Sequence, residues 1–191
     1  SKNILDQWIV SRLHSLIGKV TRNLDKYNAM AASTAIEKFW IDDFSLWYIR
    51  RSRRRFHESG GRKEAVETFY YTLLNLIKLI APFLPFLAEE IYLNLKTENM
   101  PQSVHLCEWP KTERKCIKQE LEEKMQKARE IVTLALAERA KTGIKVRQPL
   151  QELQIPKSGL KGESELLELI KEEVNVKKIT FGSTLKLYTK I

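Results

Sequence analysis

Cysteine is nearly missing from this sequence: Cys107 and Cys116 are the only two among 191 residues. Two thiols cannot build a disulfide scaffold or a four-cysteine zinc site, and His14, His57 and His105 add no ligand set at metal spacing. A reducing, cytoplasmic setting is expected. Glycine and proline are also few, 7 and 6 residues, which excludes collagen-like and low-complexity chains. No window approaches the roughly 18 uninterrupted apolar residues of a membrane span, so no membrane partner is expected. The first residues mix polar and apolar types, and nothing in them reads as a targeting signal. Catalytic patterns are missing too: there is no glycine-rich phosphate loop, no His-Glu pair at zinc spacing and no serine or cysteine beside a base. His14, at the polar edge of a first helix, and His57, ending an arginine run, are expected on the surface, and no catalytic residue or metal ligand is assigned.

What is present is a folded chain, 43% hydrophobic and 30% charged, with a formal net charge of +9. The excess is concentrated. Between Trp47 and Lys63 stand Arg50, Arg51, Arg53, Arg54, Arg55, Arg62 and Lys63, against the single acid Glu58. A patch of that density suits a phosphate-bearing polyanion, because each neutralised phosphate releases counterions; the alternative is a solvated arginine face.

Hydrophobic periodicity reads as helices through the first hundred residues. Ile4, Leu5, Trp8, Ile9, Leu13, Leu16, Ile17, Val20 and Leu24 form one stripe over residues 4–27. Asn28 then offers an N-cap, and Ala32, Ile36, Phe39, Trp40, Phe44 and Trp47 continue a second helix into the arginines until Ser59-Gly60-Gly61 breaks it. Val66, Phe69, Tyr70, Leu73, Ile77 and Ile80 mark a third helix, ended by Pro82 and Pro85, and a fourth covers residues 87–96. Stripes of this kind must bury against one another, so residues 1–96 are read as an antiparallel helical bundle, with Trp40 and Trp47 in its core. Residues 97–118, with Pro101 and Pro110 and no sustained period, are read as a linker. Residues 119–191 read as a small α+β domain: a charged helix over 119–141, Gly143 at its C-cap, a loop over 144–149, a strand around Leu153 and Ile155, and a helix over 163–174. Residues 176–181 and 185–190 are expected to pair as a hairpin across Gly182-Ser183 in a type II′ turn.

The second helix resembles a known family. Phe39-Trp40, followed by Asp43-Phe44-Ser45-Leu46-Trp47-Tyr48-Ile49-Arg50-Arg51-Ser52-Arg53-Arg54-Arg55-Phe56, is similar to the signature helix of the anticodon-binding domain of isoleucyl-tRNA synthetases. Ala81-Pro82-Phe83-Leu84-Pro85-Phe86-Leu87-Ala88-Glu89-Glu90-Ile91-Tyr92, Val104-His105-Leu106-Cys107-Glu108-Trp109-Pro110 and Gly143-Ile144-Lys145-Val146-Arg147-Gln148-Pro149-Leu150 resemble the same enzymes in the same order. The first two of these occur in milder form in valyl- and leucyl-type relatives. The resemblance implies a piece of a class I synthetase that binds isoleucine tRNA and adjoins the catalytic domain of the same polypeptide. ATP and Mg would belong to the full-length enzyme, with no cofactor in this piece, which alone would neither activate isoleucine nor hydrolyse mischarged tRNA. Lys124-Met125-Gln126-Lys127 echoes an ATP motif of such enzymes but lies within an amphipathic helix, and is read as chance. Two cysteines depart from the C-terminal zinc module of bacterial-type relatives and point to the archaeal and eukaryotic-type branch.

Continued at 3.6-residue spacing, the second stripe runs from Trp40 through Phe44 and Trp47 to Arg51 and Arg54, so an apolar face turns cationic near the helix end. Arg50, Arg51, Arg53, Arg54 and Arg55 are candidate RNA contacts through guanidinium-phosphate forks, and Trp47 is a candidate for base stacking. For Arg50 and Arg51 the alternative is an ion pair to Asp42 or Asp43, or to the catalytic domain. Lys145, Arg147 and Gln148 on the 144–149 loop are candidates for reading base edges, with a bridge between the two domains as the alternative. The competing overall reading is a scaffold or protein-interaction domain of a valyl- or leucyl-type synthetase.

Overall fold

In a computed structural model, described for residues 1–58, 60–156 and 159–188, the chain folds as two compact units, Ser1–Lys118 and Gln119–Ile191. The first unit is helical. α1 (Ile4–Leu24) starts where the Asn3 side chain accepts from the Leu5 N–H, and buries Trp8, Ile9, Leu13, Ile17 and Val20. The next helix starts at Asn28, whose Oδ1 accepts from the Ala31 N–H at 3.0 Å. It runs without a break as α2 (Ala29–Lys38), a π-helical stretch (Phe39–Ile49) and α3 (Arg50–His57). α4 (Arg62–Ile80) and α5 (Pro85–Leu95) complete the bundle, and Pro85, with no N–H to lose, opens α5 at the first turn.

The π-helical stretch changes which side chains face inward. Its wider turn adds a residue to each repeat, so Phe39 and Phe44, five apart, stack at 6.3 Å between centroids, and Phe44 stacks on Tyr48 at 5.9 Å. The buried line runs through Phe39, Phe44, Tyr48 and Ser52 to the half-buried Arg55. Trp40 and Trp47, expected in the core, are only half-buried, because the 3.6-residue period does not hold between residues 39 and 49. Phe69 of α4 closes the aromatic cluster, stacked on Phe44 at 5.5 Å. Val66, assigned to the third inward stripe, is exposed.

Residues 97–118 fold back on the bundle. Val104 is buried beside Ile77, Ala88 and Tyr92, with its N–H held by Glu89 Oε2 at 2.8 Å. Trp109 Nε1 donates to Thr21 at 2.9 Å, and the Lys118 N–H donates to Ser11 Oγ at 2.8 Å. This segment covers the polar edge of α1, which corrects the expectation for His14: it is buried, not on the surface. Its Nδ1 accepts from the Glu113 backbone N–H at 3.1 Å, which leaves Nε2 protonated and facing the Tyr71 hydroxyl at 3.0 Å. His57 is exposed, as expected.

The second unit packs α6 (Gln119–Lys141) and α7 (Ser164–Val174) on a three-stranded sheet. The expected hairpin is not there. The strand order is β2-β1-β3: β1 (Leu150–Pro156) lies between β2 (Val176–Gly182), parallel to it through the α7 crossover, and β3 (Lys186–Tyr188), antiparallel to it. β1 carries the buried Leu150, Leu153 and Ile155, so it takes the centre with a partner on each edge. Gly182 turns no hairpin either: the Gln154 side chain lies where a Cβ would stand, and its Nε2 holds Thr184 O at 3.1 Å. Thr189 and Lys190, expected in the last strand, and Ser59, expected in the helix break, lie outside the described residues.

Burial lowers the His14 pKa, with Glu113 raising it and Lys115 lowering it by smaller amounts. The unfolded chain then binds this proton more readily, so stability held above the ordinary histidine value of about 6.5 is lost as the pH falls below it. Protonation also removes the Nδ1 lone pair that the Glu113 N–H needs. Urea unfolding at pH 7.5 and pH 5.5 is expected to show a steeper loss in the parent chain than in His14→Gln.

Candidate nucleic-acid interface

The arginines of α3 divide by helix geometry. Arg53 and Arg54 are exposed and, among the described residues, make no ion pair. Arg50 is exposed with its Nε donating to Leu46 O at 2.9 Å, so part of its donor fork is held by the helix itself. Arg51 is half-buried. Arg55, grouped with the others in the sequence, points the opposite way: Nη1 and Nη2 meet Asp6 Oδ1 and Oδ2 at 2.8 and 2.6 Å, a two-pronged pair with the Asp6 side chain 1% exposed. The π-helical stretch is the cause, since it brings position 55 rather than 54 onto the inward face.

Asp6 gathers further donors. Ser1 Oγ donates to Oδ2 at 2.6 Å, and the Tyr48 hydroxyl lies 3.1 Å from both Asp6 Oδ1 and Ala65 O. Burial raises the Tyr48 pKa far above the ordinary phenol range, and the Asp6 charge raises it further, so the hydroxyl keeps its proton and acts as a donor. The hydrogen bonds that Arg55 donates to Asp6 raise the Arg55 pKa in turn. A second charged brace, Arg12 Nε to Asp43 Oδ2 at 3.0 Å, joins α1 to the π-helical stretch. Neither Asp6 nor Tyr48 stood out in the sequence: an acid in the first turn of an amphipathic helix looks like an N-terminal dipole contact.

The loop 144–149 is built by the end of α6. Gly143 at φ 69° ends the helix in the left-handed region, its N–H bonding Ala140 O at 3.1 Å and the Ile144 N–H bonding Arg139 O at 3.0 Å. Lys145, Arg147 and Gln148 are all exposed. The backbone carbonyls of Lys145 and Gln148, together with that of Val146, face the other way. The fully buried Arg139 sends Nη2 to Lys145 O at 2.6 Å, Val146 O at 3.3 Å and Gln148 O. Asn175, in the left-handed conformation after α7, adds Nδ2 to Val146 O at 2.9 Å. Sequence reasoning missed Arg139, although it falls on the stripe of Met125, Ala128, Val132 and Ala135, where an arginine is out of place.

Among the described residues no three His, Cys, Asp or Glu side chains converge to hold a metal ion, and no helix is long and apolar enough to cross a membrane. The sequence matches the family described as the anticodon-binding domain of tRNA ligase over residues 6–155. It is 45% identical over 184 residues to the isoleucine–tRNA ligase of Chlamydia muridarum, covering 94% of this chain and 18% of that protein. It is 43% identical over 190 residues to that of Protochlamydia amoebophila, covering 95% and 18%, and 40% identical over 194 residues to that of Clostridium novyi, covering 98% and 18%. The chain thus spans less than a fifth of the length of these relatives. A cysteine count over so small a share says nothing about a zinc module elsewhere in such a protein.

The split among the arginines has a stability signature. Arg55→Gln strands a buried carboxylate and is expected to cost about 3 kcal/mol in urea unfolding, whereas Arg53→Gln and Arg54→Gln change it by about 0.5 kcal/mol or less.

Proposed function

Since the chain belongs to the anticodon-binding domain family of tRNA ligases, we propose that it is the RNA-gripping part of a longer isoleucine–tRNA ligase, holding the anticodon stem and loop of isoleucine tRNA while other parts of the polypeptide charge it. The observation that carries this reading is the outward face of α3, where Arg53 and Arg54 stand exposed on a helix braced from behind by Arg55 and Asp6. Guanidinium groups on a rigid support meet phosphate oxygens in pairs and give up little conformational freedom on binding. Arg50 and Arg51 extend the same contact, Trp47 offers a partly exposed ring for stacking, and Arg55 serves as the brace. Phosphate contacts position an RNA without identifying it, so base reading falls to Lys145, Arg147 and Gln148 on their loop. ATP and Mg2+ belong to the full-length enzyme in this reading; for the metal ion, no group of three His, Cys, Asp or Glu side chains converges among the described residues, and no step runs through either.

The catalytic domain of the same polypeptide is the second partner in this reading. Its support is an apolar groove of about 540 Å3 in the bundle, lined by Ile36, Trp40, Ile80, Phe83, Leu87 and Ile91, beside a Phe86 that is 91% exposed. Apolar surface of that kind on a chain whose relatives are over five times longer suits burial against the remaining polypeptide. A cytoplasmic location follows from the same reading.

Two substitutions test the division of labour. Arg53→Gln with Arg54→Gln should weaken binding to isoleucine tRNA and to a tRNA of changed anticodon alike, each lost contact flattening the log–log salt slope by about 1. Gln148→Ala should lower affinity for isoleucine tRNA more than for the changed tRNA. An unchanged salt slope makes the α3 arginines a solvated face.

A further inference from the structure

A buried arginine normally has a carboxylate beside it. Arg139 is 0% exposed, yet its hydrogen bonds run only to the backbone carbonyls of Lys145, Val146 and Gln148, and Nε and Nη1 have no partner among the described residues. Burial lowers its pKa, but a guanidinium starts so far above neutrality that it keeps its charge. Full desolvation of a cation for carbonyl dipoles alone is costly for a role that a leucine would fill as packing, so stability does not explain it. The geometry gives another reason. With three carbonyls of one loop drawn toward a single nitrogen, the backbone cannot turn over, and Lys145, Arg147 and Gln148 remain outside. The amides of the same segment are tied as well: Gln148 N–H to Lys145 O and Leu150 N–H to Asn175 O, both at 3.0 Å.

We infer that Arg139 is a positioning residue, a buried cation that fixes loop 144–149 in the shape in which Gln148 and its neighbours read the anticodon. The inference rests on the RNA-reading role proposed for that loop. It assigns specificity to a side chain that never touches RNA: a loop ordered in advance loses less entropy on binding and holds its donors where one base edge fits and another does not.

The experiment uses the full-length polypeptide carrying Arg139→Met, which keeps the length and apolar stem of the side chain, Arg139→Lys, which keeps the charge, or Gln148→Ala. Three readouts are taken: amide exchange of residues 144–150, thermal unfolding, and the ratio of affinities for isoleucine tRNA and a tRNA of changed anticodon. Arg139→Met is expected to speed exchange at Gln148 and Leu150 by about tenfold, the scale of one or two lost hydrogen bonds, with other amides of α6 unchanged. The affinity ratio should fall about fivefold, as for Gln148→Ala, and Arg139→Lys should recover part of both effects. If Gln148→Ala lowers the ratio and Arg139→Met does not, the positioning role is overturned while the loop remains the reader. If neither changes it, the reading role of the loop fails and the inference with it. If Arg139→Met lowers both affinities alike with early unfolding, and Arg139→Lys rescues only the melting, the residue is structural and the inference is overturned.

Discussion

The pair between Asp6 and Arg55 is the constraint on which the first unit is organised. It joins the first turn of α1 to the last turn of α3 with two hydrogen bonds of 2.8 and 2.6 Å, across 49 residues of chain. Such a pair is a poor source of net stability, because both charges lose water. What it supplies is angular definition. A helix held by a two-pronged contact near its end cannot rotate about its axis, and the neighbouring Arg53 and Arg54 are carried outward as a result. Tyr48, kept protonated by burial and by the Asp6 charge, completes the same arrangement about two turns earlier.

Helices were easy to foresee where the 3.6-residue period held. The α1 stripe, the Asn28 cap, the proline boundary at residues 82–85 and the Gly143 cap stand in the structure much as the sequence implies. Between residues 39 and 49 the period fails, and with it the expected core positions of Trp40 and Trp47 and the grouping of Arg55 on one face with Arg53 and Arg54. No local propensity marks the wide turn; it is chosen by the packing of Phe39, Phe44, Tyr48 and Phe69 as a group, a tertiary effect. His14 was misplaced for a similar reason, since its cover comes from a segment about a hundred residues away.

The candidate RNA contacts were legible as residue types and local charge density, but not as an arrangement. Charge counting cannot say which arginine in a run of three turns inward, and loop composition cannot show that the carbonyls of residues 145, 146 and 148 converge on Arg139. In the α+β unit, alternation in residues 150–156 gave a strand, yet pairing partners are long-range: a Gly-Ser between two apolar runs suits a tight turn locally, and the demand of β1 for two neighbours overrides it.

That strand order has a consequence for chain integrity. Among the described residues, β3 is the three-residue strand Lys186–Tyr188, and it alone covers one edge of the central strand. A proteolytic cut before Lys186 would leave unpaired those β1 backbone groups, in the Glu152–Gln154 stretch, that face Lys186–Tyr188. An open edge beside an apolar strand is a template for a strand from another molecule, so a clipped product would tend toward self-association rather than simple unfolding.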